Sequence, residues 1–477
     1  MKKRRAENTG KIRTLRPEDF ERHSERYSSH QAQNRMADEF FEEDGSREKG
    51  SARSKTQNRN MFEHIGGAAV TAVRHLKPQK PDESYFRREK EAWTLPQRRE
   101  TNFTFIACLV LLAVMGLVMV TSSSVYFAYE NTGDSLYYFK RQLLWLAIST
   151  AILIAAVYVP LKWYRKWAFA GYLLAVFLLI AVIFVGEEIK GSKRWLGFGE
   201  YSFQPSEFAK IATAMFMAVL VDRHRDDIQD VWVFAKLLVV LMIPTVLILK
   251  ENLSTAIVNM AIGLVIMYIG GARIKHFLVL VLPLLAVLVA IVTIPLAVPI
   301  ESMPEWIQGF MSEWYYRTVR VRAWLDPWSY ASGDGYQAIQ SLYAVGSGGF
   351  FGVGLGGSVQ KLGFIPEAHN DIIFAVLCEE LGLVGAAVVL VLFAGLIWNG
   401  IKISVHAPNN FSSLLAVGMI TQVAVQVIIN VAVNTNSIPV TGVTLPFISY
   451  GGSSLLFLMG SMGILLNISR YSTAPRK

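Results

Sequence analysis

Between residues 103 and 469 the sequence is a succession of apolar runs, each close to the length of a bilayer crossing. A hydrocarbon core about 30 Å thick needs roughly 20 helical residues to cross it. Runs of that kind fall at 103–121, 142–159, 167–185, 205–221, 231–249, 255–271, 277–298, 381–401, 411–433 and 453–469. Inside lipid the backbone N–H and C=O groups must be satisfied within the protein, and continuous apolar runs achieve this as helices. The expected fold is all-α: a polytopic membrane protein of about ten transmembrane helices. Ten is even, which puts both termini on one side.

Charge divides the chain into two solvents. Only 17% of the residues are charged against 52% hydrophobic, where a soluble domain carries about 25% charged. Residues 1–100 nevertheless hold 23 of the 46 Lys and Arg and 17 of the 37 Asp and Glu. With little apolar periodicity they cannot bury enough surface to offset ordering entropy. They are expected to form a disordered basic cytoplasmic tail. No apolar run follows Lys2, Lys3, Arg4 and Arg5, so the start does not read as a signal peptide. The net charge of +9 reflects the Lys and Arg of cytoplasmic flanks rather than nucleic-acid binding. Cys108 and Cys378 lie in or beside apolar runs and read as small core residues, not as a disulfide or zinc pair.

Orientation follows from the cations flanking the spans. Arg87, Arg88, Lys90, Arg98, Arg99, Lys162, Arg165, Lys166, Arg223, Arg225, Arg273, Lys275, Lys402 and Arg470 fall on one side, expected to be cytoplasmic. The membrane domain is then 101–470, followed by a short cytoplasmic tail, 471–477. A large extracytoplasmic loop, 299–380, separates spans seven and eight. Its aromatics, among them Trp306, Trp314, Trp324 and Trp328, suit the membrane–water boundary. Lys193, Arg194, Arg317, Arg320 and Arg322 break the charge rule by falling outside, where a functional site could require cations.

Four outer patches could carry chemistry. The glycine-rich stretch 346–358 lacks the GK[ST] ending and the strand–turn–helix setting of a phosphate loop; its glycines suit tight bends and close approach. Glu367, His369, Asn370 and Asp371 stand where the outer segment re-enters the membrane, followed by Glu379, Glu380 and Gly382. A carboxylate costs about 2.5–3.5 kcal/mol at a span centre and less near the surface. Two roles stay open for this group: Asn370 or Asp371 as the N-cap of the following helix, or Asp371 as a catalytic acid or base. Lys210 lies one turn into the fourth span, where it is either a functional cation or a side chain snorkelling to the interface. The last outer loop, 434–454, is irregular and rich in hydroxyls, which at membrane depth suits a cavity wall.

Together these patches resemble the SEDS family (shape, elongation, division and sporulation proteins) over roughly residues 101–470. The resemblance rests on Lys193-Arg-Trp195 with Phe203-Gln-Pro-Ser-Glu207, Gly335-Tyr-Gln337 with residues 340–349, Pro366-Glu-Ala-His369 with Asp371, and residues 445–453. Gln360-Lys361 and Thr444-Leu445-Pro446 look more like the family's division branch than its elongation branch. Two positions depart from the family pattern: Asn252, where Asp is common, and Asn370, where Thr is usual.

The resemblance implies a peptidoglycan glycosyltransferase that polymerises lipid II at the outer face of the bacterial cytoplasmic membrane, during septal synthesis. Asp371 is then expected as general base or as ligand of a divalent metal, Mg²⁺ or Mn²⁺. Lys193, Arg194, Lys210, Arg317, Arg320 and Arg322 are expected around the diphosphate. Trp195, Glu367, His369, Ser449, Gly451 and Gly452 complete the expected substrate contacts. Implied partners are lipid II, a class B penicillin-binding transpeptidase and other divisome proteins. The competing readings are a lipid II flippase, which needs a site near the midplane, and a scaffold that only recruits partners.

Overall fold

The computed structural model describes residues 102–189, 192–198, 201–297 and 317–471. The expected tail, 1–100, lies outside them, as do residues 298–316 with Trp306 and Trp314, and residues 472–477. Helices fall on all ten apolar runs: α1 (Phe103–Thr132), α2 (Tyr137–Tyr158), α3 (Leu161–Val185), α4 (Pro205–Arg223), α5 (Val231–Glu251), α6 (Leu253–Ile269), α7 (Leu282–Ala297), and, after a short outer helix α8 (Tyr336–Ser347), α9 (Ile373–Val405), α10 (Asn410–Asn434) and α11 (Gly452–Arg470). A helical turn, Ile274–His276, and a π-helical turn, Phe277–Val281, lead into α7. Among the described residues eight of these crossings are long and apolar enough for a bilayer, the continuous stretch Ile274–Ile291 that joins the two turns to α7 being one of them. The chain is a helical membrane protein.

The two crossings that fall short are α4 and α6. Helix α4 carries Glu207, Lys210, Asp222 and Arg223, and α6 has 17 residues. Both are packed by other helices instead of lipid: α4 against α3, α6 and α10, and α6 against α5 and α10. Residues 205–221 of α4 are buried almost without interruption. A helix shielded in this way tolerates small and polar side chains that lipid would reject. Helices α1, α2, α3 and α9 leave apolar faces open, including Leu111, Leu144, Phe177 and Val391. Those faces meet lipid.

Local chemistry sets the element ends. Asn102 accepts the Phe105 N–H and starts α1, while Gly133 at φ 72° ends it. Asp230 caps α5 through the Trp232 N–H. Asn252 ends α5 and caps α6 by accepting the Thr255 N–H at 3.0 Å. An amide does this as well as a carboxylate, which accounts for Asn at a position where the family pattern has Asp. Pro244 inside α5 has no N–H to offer the carbonyl of Val240, four residues back; the Tyr172 hydroxyl of α3 donates to that carbonyl at 2.7 Å instead.

Two features were not expected from the sequence. The connection between α3 and α4 forms a small antiparallel sheet, β1 (Glu187–Ile189), β2 (Ser192–Phe198) and β3 (Tyr201–Phe203), in the order β1-β2-β3. Helix α9 is also longer than the run at 381–401 and is broken at Gly382, whose φ of 66° and ψ of −167° only glycine adopts readily. The glycine-rich loop docks into this break. The Val353 and Gly354 N–H groups donate to the Glu379 and Glu380 carbonyls, and the Leu383 and Val384 N–H groups donate to Gly349 and Phe350. A Cβ at Gly352 would collide with the Glu380 carbonyl. The glycines therefore serve close backbone approach, and the helix break keeps its polar groups satisfied.

Candidate active site

One end of the bundle encloses a cavity of about 510 Å³. Its walls come from the start of α2, the α3–α4 sheet, the start of α4, the α5–α6 junction, the segment before α9 and the loop before α11. Each of these is a helix start or an outer connection, and Gln426 adds a wall position within α10. The basic flanks Lys162, Arg165, Arg225, Arg273, Lys275 and Lys402 belong to the opposite ends of the helices, where Arg165 bridges Asp222 at 3.1 Å.

Asp371 lines the cavity, and its backbone is fixed from behind. Asn430 and Asn434 are one turn apart on α10, and both are fully buried. Their side-chain amides donate to the Asp371 carbonyl at 2.8 and 3.1 Å. Asn430 also donates to the Val443 carbonyl at 2.8 Å, tying in the loop before α11. The Asn434 side-chain oxygen accepts the Ala375 N–H at 3.0 Å. The cap position of α9 falls on Ile372 without a side-chain capping bond. The capping role open to Asn370 or Asp371 in the sequence is thus discharged from α10. Asn370 instead donates to the Glu367 carboxylate at 2.9 Å.

Glu367 lines the same wall in a left-handed conformation, φ 51°, which costs a non-glycine residue about 1–3 kcal/mol. The Asn370 N–H donates to the Glu367 carbonyl at 2.9 Å and helps to hold it there. Among the expected cations, Arg194 and Arg320 reach the cavity wall, and Trp195, Gly451 and Gly452 join them. Gly452 packs so tightly against the Trp145 ring that a Cβ would collide with it.

The remaining expected contacts lie elsewhere. Lys210 is 1% exposed and is bound to Glu207 at 2.8 Å. It neither snorkels nor lines the cavity; Glu207 does. Arg317 donates to the Leu249 and Lys250 carbonyls at 3.0 Å, closing the end of α5. Arg322 shares the helical segment 317–325 but is not on the wall. Lys193 belongs to β2, paired with Glu188, and only its backbone is described. His369 is buried among the rings of Phe127, Tyr138 and Tyr450, with centroids 5.4, 4.4 and 5.5 Å away. Its carbonyl accepts the Tyr450 N–H at 2.9 Å. Ser449 accepts the Leu445 N–H at 2.8 Å and closes a turn. His369 and Ser449 shape the site from behind.

Sequence reasoning missed several wall residues. Arg141 and Trp145 sit in the first turns of α2; an ionisable side chain at a span edge was the available signal. Gln204 and Gln337, which stand inside the quoted motifs without having been singled out, also line the cavity, as does Gln426, which nothing in its local sequence marks. Burial pushes the Tyr450 phenol above its ordinary value against the pull of Arg141, so it meets the cavity as a protonated hydroxyl. A second polar cluster braces the outer loop. Lys361 pairs with Glu380 at 2.6 Å, and Ser122 donates to both Glu380 oxygens at 2.7 Å.

Three cations (Arg141, Arg194, Arg320) thus share one cavity with three carboxylates (Glu207, Glu367, Asp371). The cations suit a phosphate, and the carboxylates suit proton transfer. Among the described residues no three His, Cys, Asp or Glu side chains gather as a metal cage. Glu367 and Asp371 on one wall fit Mg²⁺ or Mn²⁺ in the other common mode, one or two carboxylates completed by substrate phosphates.

Fold and site define a polytopic membrane protein with an ionic, substrate-sized chamber opening at one end of its helices. A family model described as "Cell cycle protein" and covering FtsW, RodA and SpoVE matches residues 102–474, so the chain belongs to the FtsW/RodA/SpoVE family. It is 38% identical to stage V sporulation protein E of Bacillus subtilis, over 79% of this chain and 99% of that protein. It is 40% identical to a probable peptidoglycan glycosyltransferase FtsW of Thioalkalivibrio sulfidiphilus, over 79% and 90%. A solved chain from a peptidoglycan synthase complex that coordinates polymerization and crosslinking superposes with a TM-score of 0.63 at 27% identity, over 78% of this chain and 98% of that one. The rod shape determining protein RodA of Thermus thermophilus shares the fold, with a TM-score of 0.56 at 22% identity over 79% and 98%.

Proposed function

We propose that this protein is a peptidoglycan glycosyltransferase that joins lipid II units into glycan strands at the outer face of the bacterial cytoplasmic membrane. The observation that carries the reading is the meeting of Asp371 with Arg141, Arg194 and Arg320 in one cavity. Relatives bearing the name peptidoglycan glycosyltransferase support it. The cavity opens at the helix ends opposite the Lys- and Arg-rich flanks. By the positive-inside rule that end is extracytoplasmic, with both ends of the membrane domain cytoplasmic.

In this mechanism Asp371 takes the proton from the acceptor sugar hydroxyl. The resulting oxygen attacks the donor's anomeric carbon, and the bond from that carbon to the diphosphate breaks. Arg141, Arg194 and Arg320 face the diphosphate and stabilise the charge that develops as it leaves. A positioned base contributes about 10²–10⁴-fold, and an electrostatic donor about 10²–10³-fold. A divalent cation held by Asp371 and Glu367 would supply further charge neutralisation to the diphosphate. A flippase would need its polar groups near the midplane, whereas all the charged residues of this chamber come from the first turns of helices or from outer segments.

Septal synthesis is the proposed setting, and the similarity to FtsW proteins supports it. A class B penicillin-binding transpeptidase and other divisome proteins are the proposed partners. The test is purified protein given lipid II and a divalent metal, with and without the transpeptidase. Glycan strands made by this chain and absent from its Asp371→Asn variant support the reading; lipid II transfer between leaflets without polymer contradicts it.

A further inference from the structure

Beside the main chamber lies a second cavity of about 210 Å³. The two share Arg320, Gln337, Pro366 and Val440 as a common wall. Beyond that wall the annex is lined by Trp324, Tyr336 and Asp334. The Trp324 indole N–H donates to the Asn436 carbonyl at 2.9 Å, which fixes the ring. Tyr336 and Gln337 begin α8.

Chemistry separates the annex from the chamber. Apart from the shared Arg320 it offers no cation, so it does not suit a diphosphate. Ala323, Ala338, Pro366 and Val440 complete the lining, but a carboxylate, an amide and a guanidinium share so small a space that it does not suit a polyprenyl tail either. A pyranose presents a flat C–H face and a rim of hydroxyls. That combination calls for an aromatic wall with a few fixed polar groups at its edge. At 210 Å³ the annex is below the roughly 300–1,000 Å³ of a whole ligand site. It is sized for one ring of a larger ligand whose remainder occupies the chamber.

We infer that the annex formed by Trp324, Tyr336, Asp334 and Gln337 is a second sugar subsite, which holds a ring of the growing glycan next to the reacting one. The inference rests on the glycosyltransferase reading for its role in strand growth, although sugar binding stands apart from catalysis. A strand gripped here stays in register between couplings. A strand released after each coupling would stay short.

The experiment uses the full chain in nanodiscs and two readouts. The first is NMR saturation transfer to a lipid-free tetrasaccharide of alternating N-acetylglucosamine and N-acetylmuramic acid. The second is the ratio of long strands to tetrasaccharide made from lipid II. Trp324→Ala should weaken tetrasaccharide binding and lower that ratio by about fivefold, the scale of one aromatic contact. Trp324→Phe, which keeps a ring but loses the bond to Asn436, should stay within about twofold of the unaltered protein. Asp334→Asn, a conservative change on an exposed turn, should fall between them. Equal losses in Trp324→Ala and Trp324→Phe would make the indole a structural tether and overturn the subsite. So would unaltered binding and strand length in Trp324→Ala, or an unaltered protein that does not bind the tetrasaccharide. Trp324-dependent binding by a protein that makes no polymer would support the subsite and remove the polymerase reading alone.

Discussion

The side-chain amide of Asn430 donates to the backbone carbonyl of Asp371 at 2.8 Å and to that of Val443 at 2.8 Å. One buried amide on α10 therefore fixes two walls of the cavity. Asn430→Ala should leave both carbonyls without this donor. Asn434 still donates to the Asp371 carbonyl, whereas the loss at the Val443 carbonyl costs about 1–3 kcal/mol, and a displaced acid loses about 10²-fold in rate. The turnover of lipid II should fall well beyond any change in its half-saturating concentration, with a lower melting temperature in detergent.

The buried pair Glu207–Lys210 gives a second outcome. Removing one partner of such a pair costs about 3–5 kcal/mol, because the other charge stays buried. Lys210→Met should therefore unfold at markedly lower temperature. The double variant Glu207→Gln with Lys210→Met should regain most of that stability, while polymerisation stays low because Glu207 is the member on the cavity wall. Thermal melts and lipid II polymerisation assays of the two variants check this.

Arg320 and Arg317 lie one turn apart and should behave differently. Arg320 lines the cavity, so Arg320→Ala should reduce kcat/KM for lipid II by about 10²–10³-fold. Arg317 closes the end of α5. Arg317→Ala should lower stability by about 1 kcal/mol and leave turnover within about twofold of normal at a permissive temperature. Steady-state kinetics and melts on both variants separate the roles.

Gly382→Ala places a Cβ at φ 66° and against the Gly352 N–H and the Phe350 carbonyl. The backbone cost alone is about 1–2 kcal/mol. Displacement of the docked loop should expose its amides. Faster hydrogen exchange over residues 348–356 and 379–384, relative to the unaltered protein, is the expected reading.

Helix positions were legible because bilayer thickness and hydropathy are one-dimensional constraints: all ten runs became helices. The pairing of Lys210 with Glu207 was less so. Their spacing of three residues puts them on one helix face, but the burial of that face depends on α3, α6 and α10. Within the motif Pro366–Asp371, Glu367 and Asp371 line the cavity, yet sequence spacing did not separate them from His369, which turns into an aromatic cluster. The α3–α4 sheet escaped notice because its strands are short. Gln426, on the run 411–433, joins Arg141 and Gln337 only through tertiary packing, which no local pattern encodes.

The most direct measurement is polymerisation of lipid II by the Asp371→Asn variant, beside a melt and a lipid II binding isotherm. The substitution keeps the size and the backbone carbonyl held by Asn430 and Asn434, and removes the proton acceptor. The account predicts glycan strands reduced by at least about 10²-fold, with melting temperature and lipid II affinity close to those of the unaltered protein. Normal strand yield from this variant would contradict it.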